Sequence, residues 1–306
     1  MATGSQWIEA ARPKTLPASL APVIMGIGGA IGLGQVSVGK SVLALLVALA
    51  FQVGVNFSND YSDGIRGTDA KGKRVGPERL TGAGLAAPRT VLVAALSCYA
   101  FAGICGIVLC VWAGSYALIA LGVLAALAAW FYTGGKHPYG YLPGVAEVMV
   151  FAFFGLLAVQ GTIWVQAHTL PWRTWTAASG IGLLSCALLL VNNLRDIPGD
   201  RQSGKNTLAV KLGDKGSRYL FACYLYAALV LGVVSFSVRW EALLFGVAMA
   251  VWVCFPLLKV LQGARGKALI KTLKQVGQIT LGSVSYTHLT LPTILRSCRS
   301  RWSPYH

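Results

Sequence analysis

SVLALLVALAFQVGVNFSNDYSDG, residues 41–64, runs from unbroken apolar residues through Gln52, Asn56 and Asn59 into Asp60 and Asp63. A stretch of about 20 apolar residues is what a helix needs to cross a hydrocarbon core. Comparable stretches stand at about 16–34, 41–58, 90–111, 114–132, 144–166, 174–193, 218–237 and 240–258, and a ninth begins near Leu269–Leu281. These are long uninterrupted runs, whereas an outer-membrane barrel would show alternating segments of about ten residues. Composition agrees: 55% of residues are apolar, 12% are charged and the mean hydropathy is +0.63, which places the chain outside the range of soluble globular domains. The expected fold class is an all-α integral membrane protein, a multi-helix transmembrane bundle of eight complete spans plus a truncated ninth.

Charge sets an expected orientation. With the amino terminus in the cytoplasm, the loops on that side hold Arg12, Lys14, the basic residues between Arg66 and Arg89, Lys136, Arg195, Arg201, Lys205 and most later Lys and Arg residues; the opposite loops hold Lys40, Arg173 and Arg239. This is a strong positive-inside bias, and it predicts a multi-pass protein of the cell inner (cytoplasmic) membrane. Topology and anionic lipid account for most of the net charge of +16, so no nucleic-acid partner is expected. The start of the chain, with Arg12-Pro-Lys14 before the first long apolar run, does not read as a cleaved signal peptide. The cysteines show no C-x-x-C spacing and read as small packing side chains.

Against this background the carboxylates stand out, because charge inside or at the mouth of an apolar span is costly and usually functional. Asp60, Asp63 and Asp69 follow the second span. Asp196 and Asp200 follow the sixth, in LLLVNNLRDIPGDRQSGK at 188–205. Both segments pass from apolar residues through Asn to spaced Asp and then to basic residues, and both emerge on the cytoplasmic side from helices four apart, as an internal parallel repeat would place them. Asn56 and Asp60, Asp60 and Asp63, Asn192 and Asp196, and Asp196 and Asp200 are three or four apart, so each set is expected to converge from one helical edge. Pro198 and Gly199 predict that the helix loosens before Asp200. Hard oxygen ligands of this kind suit Mg²⁺ shared with phosphate oxygens. Arg66, Arg74, Arg79, Arg195, Arg201 and Lys205 are placed to neutralise a diphosphate and stabilise it as a leaving group. Glu147 lies a few residues into the fifth span, after Lys136, His137 and Tyr139. It is expected to orient an acceptor or handle its proton, or else to pair with Lys136 or Arg12.

NDYSDG at 59–64 with Asp69, and D-I-P-G-D-x-x-x-G-K at 196–205 followed by Thr207-Leu-Ala-Val, resemble the two Asp motifs of the UbiA-type superfamily of intramembrane aromatic prenyltransferases. RPKTLPAS at 12–19, NDYSDGIRGTD at 59–69, GPERLTGAG at 76–84 and FYTGGKHPYGY at 131–141 are similar to its menaquinone-pathway branch. The resemblance covers roughly residues 7–282 and implies nine helices around a central cavity open to lipid. It implies transfer of a polyprenyl chain from polyprenyl diphosphate to 1,4-dihydroxy-2-naphthoate, with release of pyrophosphate and carbon dioxide, to give demethylmenaquinone. Matched by position, Asp60, Asp63, Asp196 and Asp200 would hold Mg²⁺ and diphosphate, with Asn56, Asn59, Asn192 and Asn193 as polar partners. Where many relatives carry a further Asp, four residues after Asp63, this chain has Gly67, and Asp69 is the nearest substitute. 4-Hydroxybenzoate or another phenolic acid is the alternative acceptor. A secondary transporter is the alternative class, although Asp clusters at one membrane face and their basic surroundings favour a metal-held anion.

Residues 1–283 read as one intramembrane domain. From Val284 the chain reads VSYTHLTLPT, which resembles a translated sequencing adapter, so residues 284–306 are expected to be a non-native tail; a divergent native tail is the alternative. The source locus sequenced across the codon for Ser283 is expected to leave the frame of residues 284–306 at that point, and an uninterrupted native frame would show the tail to be genuine.

Overall fold

The computed structural model describes residues 2–67, 79–236 and 240–301, without the side chains of 236, 240–243 and 285–301. Its helices are α1 (Gly4–Ala10), α2 (Leu16–Gly32), α3 (Val38–Ile65), α4 (Pro88–Trp112), α5 (Ala117–Phe131), α6 (Val145–Ala167), α7 (Trp172–Gln202), α8 (Leu208–Phe236), α9 (Trp240–Leu261) and α10 (Lys267–Arg301). No strand occurs among the described residues. Among the described residues, seven helices are long and apolar enough to cross a membrane, α1 and α2 counting as one, and α5, at 15 residues, is shorter. Many large apolar side chains of α4, α5 and α9 point outward, among them Ile104, Val123 and Val251, as a lipid-facing surface requires.

The ends of these helices are chemically marked. Thr3 and Gln6 form a capping box at α1. Ser37 caps α3, and α4 opens on Pro88, where a missing N–H costs nothing. A left-handed Gly213 breaks α8 one turn in, separating Leu208–Leu212 from the long span that follows. Helix α6 carries a π-helical stretch over Phe151–Leu157, a form found mostly as single turns at functional sites.

The largest apolar core surrounds α7. Ala178, Ile181, Ala187, Leu190 and Val191 are buried there against α2, α6, α8, α9 and the first half of α10, through Met25, Ile163, Phe221, Leu225, Val276 and Ile279 among others. Smaller cores join α1, α3, α4 and Leu80, and α2, α3, α4 and α6. Between these groups lies the space described below.

One expectation is corrected here. Helix α7 continues through Pro198 and Gly199 to Gln202. Pro198 stands in the last turn on the exposed side, where one lost bond is tolerated, and the end is tied by Ser203 Oγ to the Gly199 carbonyl and by Lys205 N–H to the Asp200 carbonyl. The backbone of α10, where a ninth span was expected to begin, runs helical to Arg301; its described side chains end with Val284, and among the described residues it is not one of the helices long and apolar enough to cross a membrane.

Close approach of α6 to α7 depends on glycine. A Cβ on Gly155 would lie 2.6 Å from the Gly182 Cα and 3.0 Å from the Ala178 carbonyl oxygen, whereas one on Gly161 would meet only Leu157 at 3.9 Å. Gly155→Ala is therefore expected to destabilise the protein by about 1–3 kcal/mol through overpacking, and Gly161→Ala to leave it nearly unchanged, as read by thermal unfolding in detergent.

Candidate active site

The last turns of α3 present polar residues on two sides. On one side Asn56 donates from Nδ2 to the Ala11 carbonyl at 2.9 Å, and Asp60, fully buried, accepts from the backbone N–H groups of Leu80 and Thr81, 2.9 Å to each oxygen. On the other side Asn59 Oδ1 accepts from Thr133 Oγ1 at 2.7 Å. Asp63 Oδ1 accepts from the Tyr141 hydroxyl at 2.7 Å, and its Oδ2 accepts from Lys205 Nζ at 3.0 Å. The expected convergence of Asp60 and Asp63 from one edge is thus not found. Three residues advance a helix by about 300°, enough to turn Asp60 toward the 79–85 loop while Asp63 faces residues 132–141.

Lys205 carries the link between the two Asp segments, since it follows α7 and its ammonium pairs with Asp63 on α3. It also lies 4.8 Å from the Tyr141 ring centroid. Arg66 donates to the carbonyls of Thr133 and Gly135 and stacks over the same ring, fixing residues 132–141 against α3. Asp196 is bound by the Arg195 guanidinium through both oxygens, at 2.7 and 2.6 Å, and Arg195 also donates to Asn192 Oδ1 at 2.8 Å. Asn193 is buried and Asp200 half-buried. Arg201 and Lys136 are exposed.

Tyr132 stands where these groups meet. Burial first, then the charges of Glu147, Asp63 and Asp200, push its phenol well above its ordinary range. Tyr139 is pushed up to about 12, chiefly by burial, and Tyr141 is raised by burial and by Asp63. Of the three, Tyr141 donates its hydroxyl proton to Asp63. Glu147 is buried at 4% exposure and neither carboxyl oxygen has a hydrogen-bond partner among the described residues. The expected alternative of a salt bridge to Lys136 or Arg12 is not formed.

A cavity of about 530 Å³ opens beside this group between α2, α3, α4, α5 and α6. Its polar end is formed by Asn56, Asn59, Tyr132, Tyr139 and Asn192, and its long remainder by apolar and small residues such as Ala48, Gly106, Leu118, Ala125, Phe154 and Leu157. Phe153, Phe154 and Leu157 come from the π-helical stretch of α6.

Residues 19–276 match the UbiA prenyltransferase family. The chain belongs to that family. Among its relatives is the 1,4-dihydroxy-2-naphthoate octaprenyltransferase of Mycobacterium tuberculosis, 45% identical with 90% of this chain and 93% of the relative covered. The enzyme of the same name in Escherichia coli is 38% identical over 73% and 74% of the two chains. The fold matches a UbiA homolog from Archaeoglobus fulgidus bound to GPP and Mg²⁺, with a TM-score of 0.69 at 14% identity over 92% of this chain and 98% of that one.

In this UbiA prenyltransferase the structure brings together Asn59, Asp63, Lys205 and Arg66, and it gathers Asp63, Asp200 and Glu147 around Tyr132. Arg79, buried, is near enough to Asp63 for its charge to act there. Asp69 and Arg74 lie outside the described residues. Thr133 and Tyr141 are site residues that spacing did not single out. Their signal lay in the FYTGGKHPYGY segment, where a hydroxyl-rich loop follows an apolar run, but a loop offers no periodicity to tell Tyr139 from Tyr141. Tyr141→Phe removes the hydroxyl that holds Asp63 and is expected to lower kcat/KM by about tenfold or more, the worth of a hydrogen bond to a charged group, in a prenyl-transfer assay on membranes.

Proposed function

We propose that this protein transfers a polyprenyl chain from polyprenyl diphosphate to 1,4-dihydroxy-2-naphthoate, releasing pyrophosphate and carbon dioxide and giving demethylmenaquinol, the hydroquinone form of demethylmenaquinone. One observation carries the proposal: a largely apolar cavity of about 530 Å³ has its polar end at Asn56, Asn59, Tyr132, Tyr139 and Asn192, beside the carboxylates and cations at the ends of α3 and α7. The names of the relatives supply the acceptor. The charge bias of the loops supports placing both Asp segments at the cytoplasmic face of the cell membrane.

The donor set fits a hard divalent cation, since Asn59, Asp63, Asn192, Asp196 and Asp200 offer carboxylate and amide oxygens and no thiol. Asp63, Asp196 and Asp200 would hold Mg²⁺, with Asp60 and Asp69 as the further candidates from the sequence, and the ion would supply charge that stabilises departing pyrophosphate.

Lys205, Arg66, Arg79 and Arg195 bind the diphosphate beside those carboxylates and hold it as the allylic C–O bond breaks. The apolar walls keep water from the allylic cation, and the faces of Tyr132 and Tyr139 stabilise it electrostatically. Tyr132 and Asn192 border the place where the ring of the acceptor meets the cation. Glu147, with both oxygens unpartnered among the described residues and two and three positions before cavity residues Met149 and Val150, orients the acceptor hydroxyl or takes up its proton.

Membranes carrying this chain are expected to form prenylated naphthoquinol from 1,4-dihydroxy-2-naphthoate, to prefer it over 4-hydroxybenzoate, and to lose turnover with EDTA and regain it with Mg²⁺. Substrate-coupled ion flux without turnover would instead establish a transporter. Glu147→Gln is expected to lower kcat about a hundredfold, the usual scale of proton transfer by a positioned side chain, and unchanged turnover in a folded variant would remove Glu147 from the mechanism.

A further inference from the structure

The GPERLTGAG segment ends in a compact loop whose hold on α3 is unusually specific. Asp60, with no exposed surface, spends one oxygen on the Leu80 N–H and the other on the Thr81 N–H, each at 2.9 Å. One turn later, on the same side of α3, Gly64 lets the loop lie directly on the helix: a Cβ there would meet the Thr81 Cβ and Cγ2 at 2.5 Å and the Gly82 N at 3.1 Å. The loop is closed on itself by the Leu80 carbonyl, which accepts from Leu85 and Ala86, and by the Arg79 carbonyl, which accepts from Ala83. Leu80 is buried in the small core of α1, α3 and α4. Arg79 is the residue immediately before the two N–H groups that Asp60 holds. It is 5% exposed, and its charge acts on Asp63.

We infer that Asp60 is a positioning residue and not a metal ligand: with Gly64 it docks the 79–85 loop on α3 and so delivers Arg79 to the diphosphate side of Asp63. The assignment of Asp63 to the metal and of Arg79 to the diphosphate rests on the function proposed above. A carboxylate already accepting two backbone N–H bonds has its charge compensated where it stands, in a place without water. Asp63, one side over, faces Lys205 and Tyr141, which a diphosphate and its cation can displace or join. The two Asp residues of NDYSD therefore divide the work, one building the wall of the site and the other facing its contents.

The full-length protein in detergent, titrated with Mn²⁺ and followed by the EPR signal of the free ion, separates these roles. Asp60→Asn keeps one acceptor oxygen and is expected to bind Mn²⁺ within about threefold of the parent, while Asp63→Asn weakens binding more than about tenfold. In turnover, Asp60→Asn is expected to raise the KM for polyprenyl diphosphate about tenfold with kcat changed much less, the loss of ground-state binding that a displaced Arg79 would cause. Gly64→Ala, which leaves both Asp residues intact, is expected to give the same KM signature, and adding Thr81→Gly to it is expected to restore KM by clearing the contact. Loss of Mn²⁺ binding in Asp60→Asn to the extent seen in Asp63→Asn would overturn the assignment, and so would an unchanged KM in both Asp60→Asn and Gly64→Ala. Retention of Mn²⁺ by Asp63→Asn would instead count against the proposed metal site, with the loop-docking role still judged by KM.

Discussion

Charge buried among apolar helices must be compensated where it stands, and the arrangement around the ends of α3 and α7 follows from that constraint. Asp60 is met by two backbone N–H groups, Asp63 by Lys205 and Tyr141, and Asp196 by the bidentate Arg195. The partner of Asp196 is its neighbour on α7, whereas those of Asp60 and Asp63 come from other pieces of chain. Compensating Asp60 and Asp63 therefore fastens the 79–85 loop, the 132–141 segment and the segment after α7 to the end of α3. The loops owe their positions to the acids more than to contacts of their own, since a connecting segment has little apolar surface with which to fix itself.

The apolar scaffold complements this. Helix α7 is buried on nearly all sides, with glycine contacts to α6 that bring the backbones together. The half of the bundle formed by α3, α4 and α5 is less closely joined to it, and the cavity occupies the difference. Rigid packing on one side and open volume on the other let a long chain enter without loosening the end of the site that carries the charge. Small residues on the cavity wall, such as Gly103, Gly106 and Gly122, give that volume its extent.

Much of this was legible in the sequence because hydropathy and spacing act along the chain. The apolar stretches located the helices, and the spacing of Asn56, Asp60 and Asp63 and of Asn192, Asp196 and Asp200 drew attention to the ends of α3 and α7, where the candidate site stands. What spacing could not supply was the direction in which each acid turns. Asp60 and Asp63 share a motif but differ in partner, and the partners, Leu80 and Thr81 for one and Tyr141 and Lys205 for the other, are 20 or more positions away. The run of α7 through Pro198 was hidden for the opposite reason: a local rule disfavours it, and the bonds that close the helix end, from Ser203 to the Gly199 carbonyl and from Lys205 to the Asp200 carbonyl, override the rule.

Helix α5 has 15 residues, a rise of about 22 Å against a hydrocarbon thickness of about 30 Å. No residue of α5 is buried, yet Leu118, Gly122 and Ala125 line the cavity, so this short helix is the thin outer wall between that space and lipid. A hydrophobic element shorter than the bilayer draws the headgroup layers inward beside it. The membrane is then thinnest along the flank where a lipid-borne substrate would enter. Such a dimple lowers the distance over which a diphosphate head must be moved away from water while its tail stays in hydrocarbon, so the bilayer itself becomes part of the entry path.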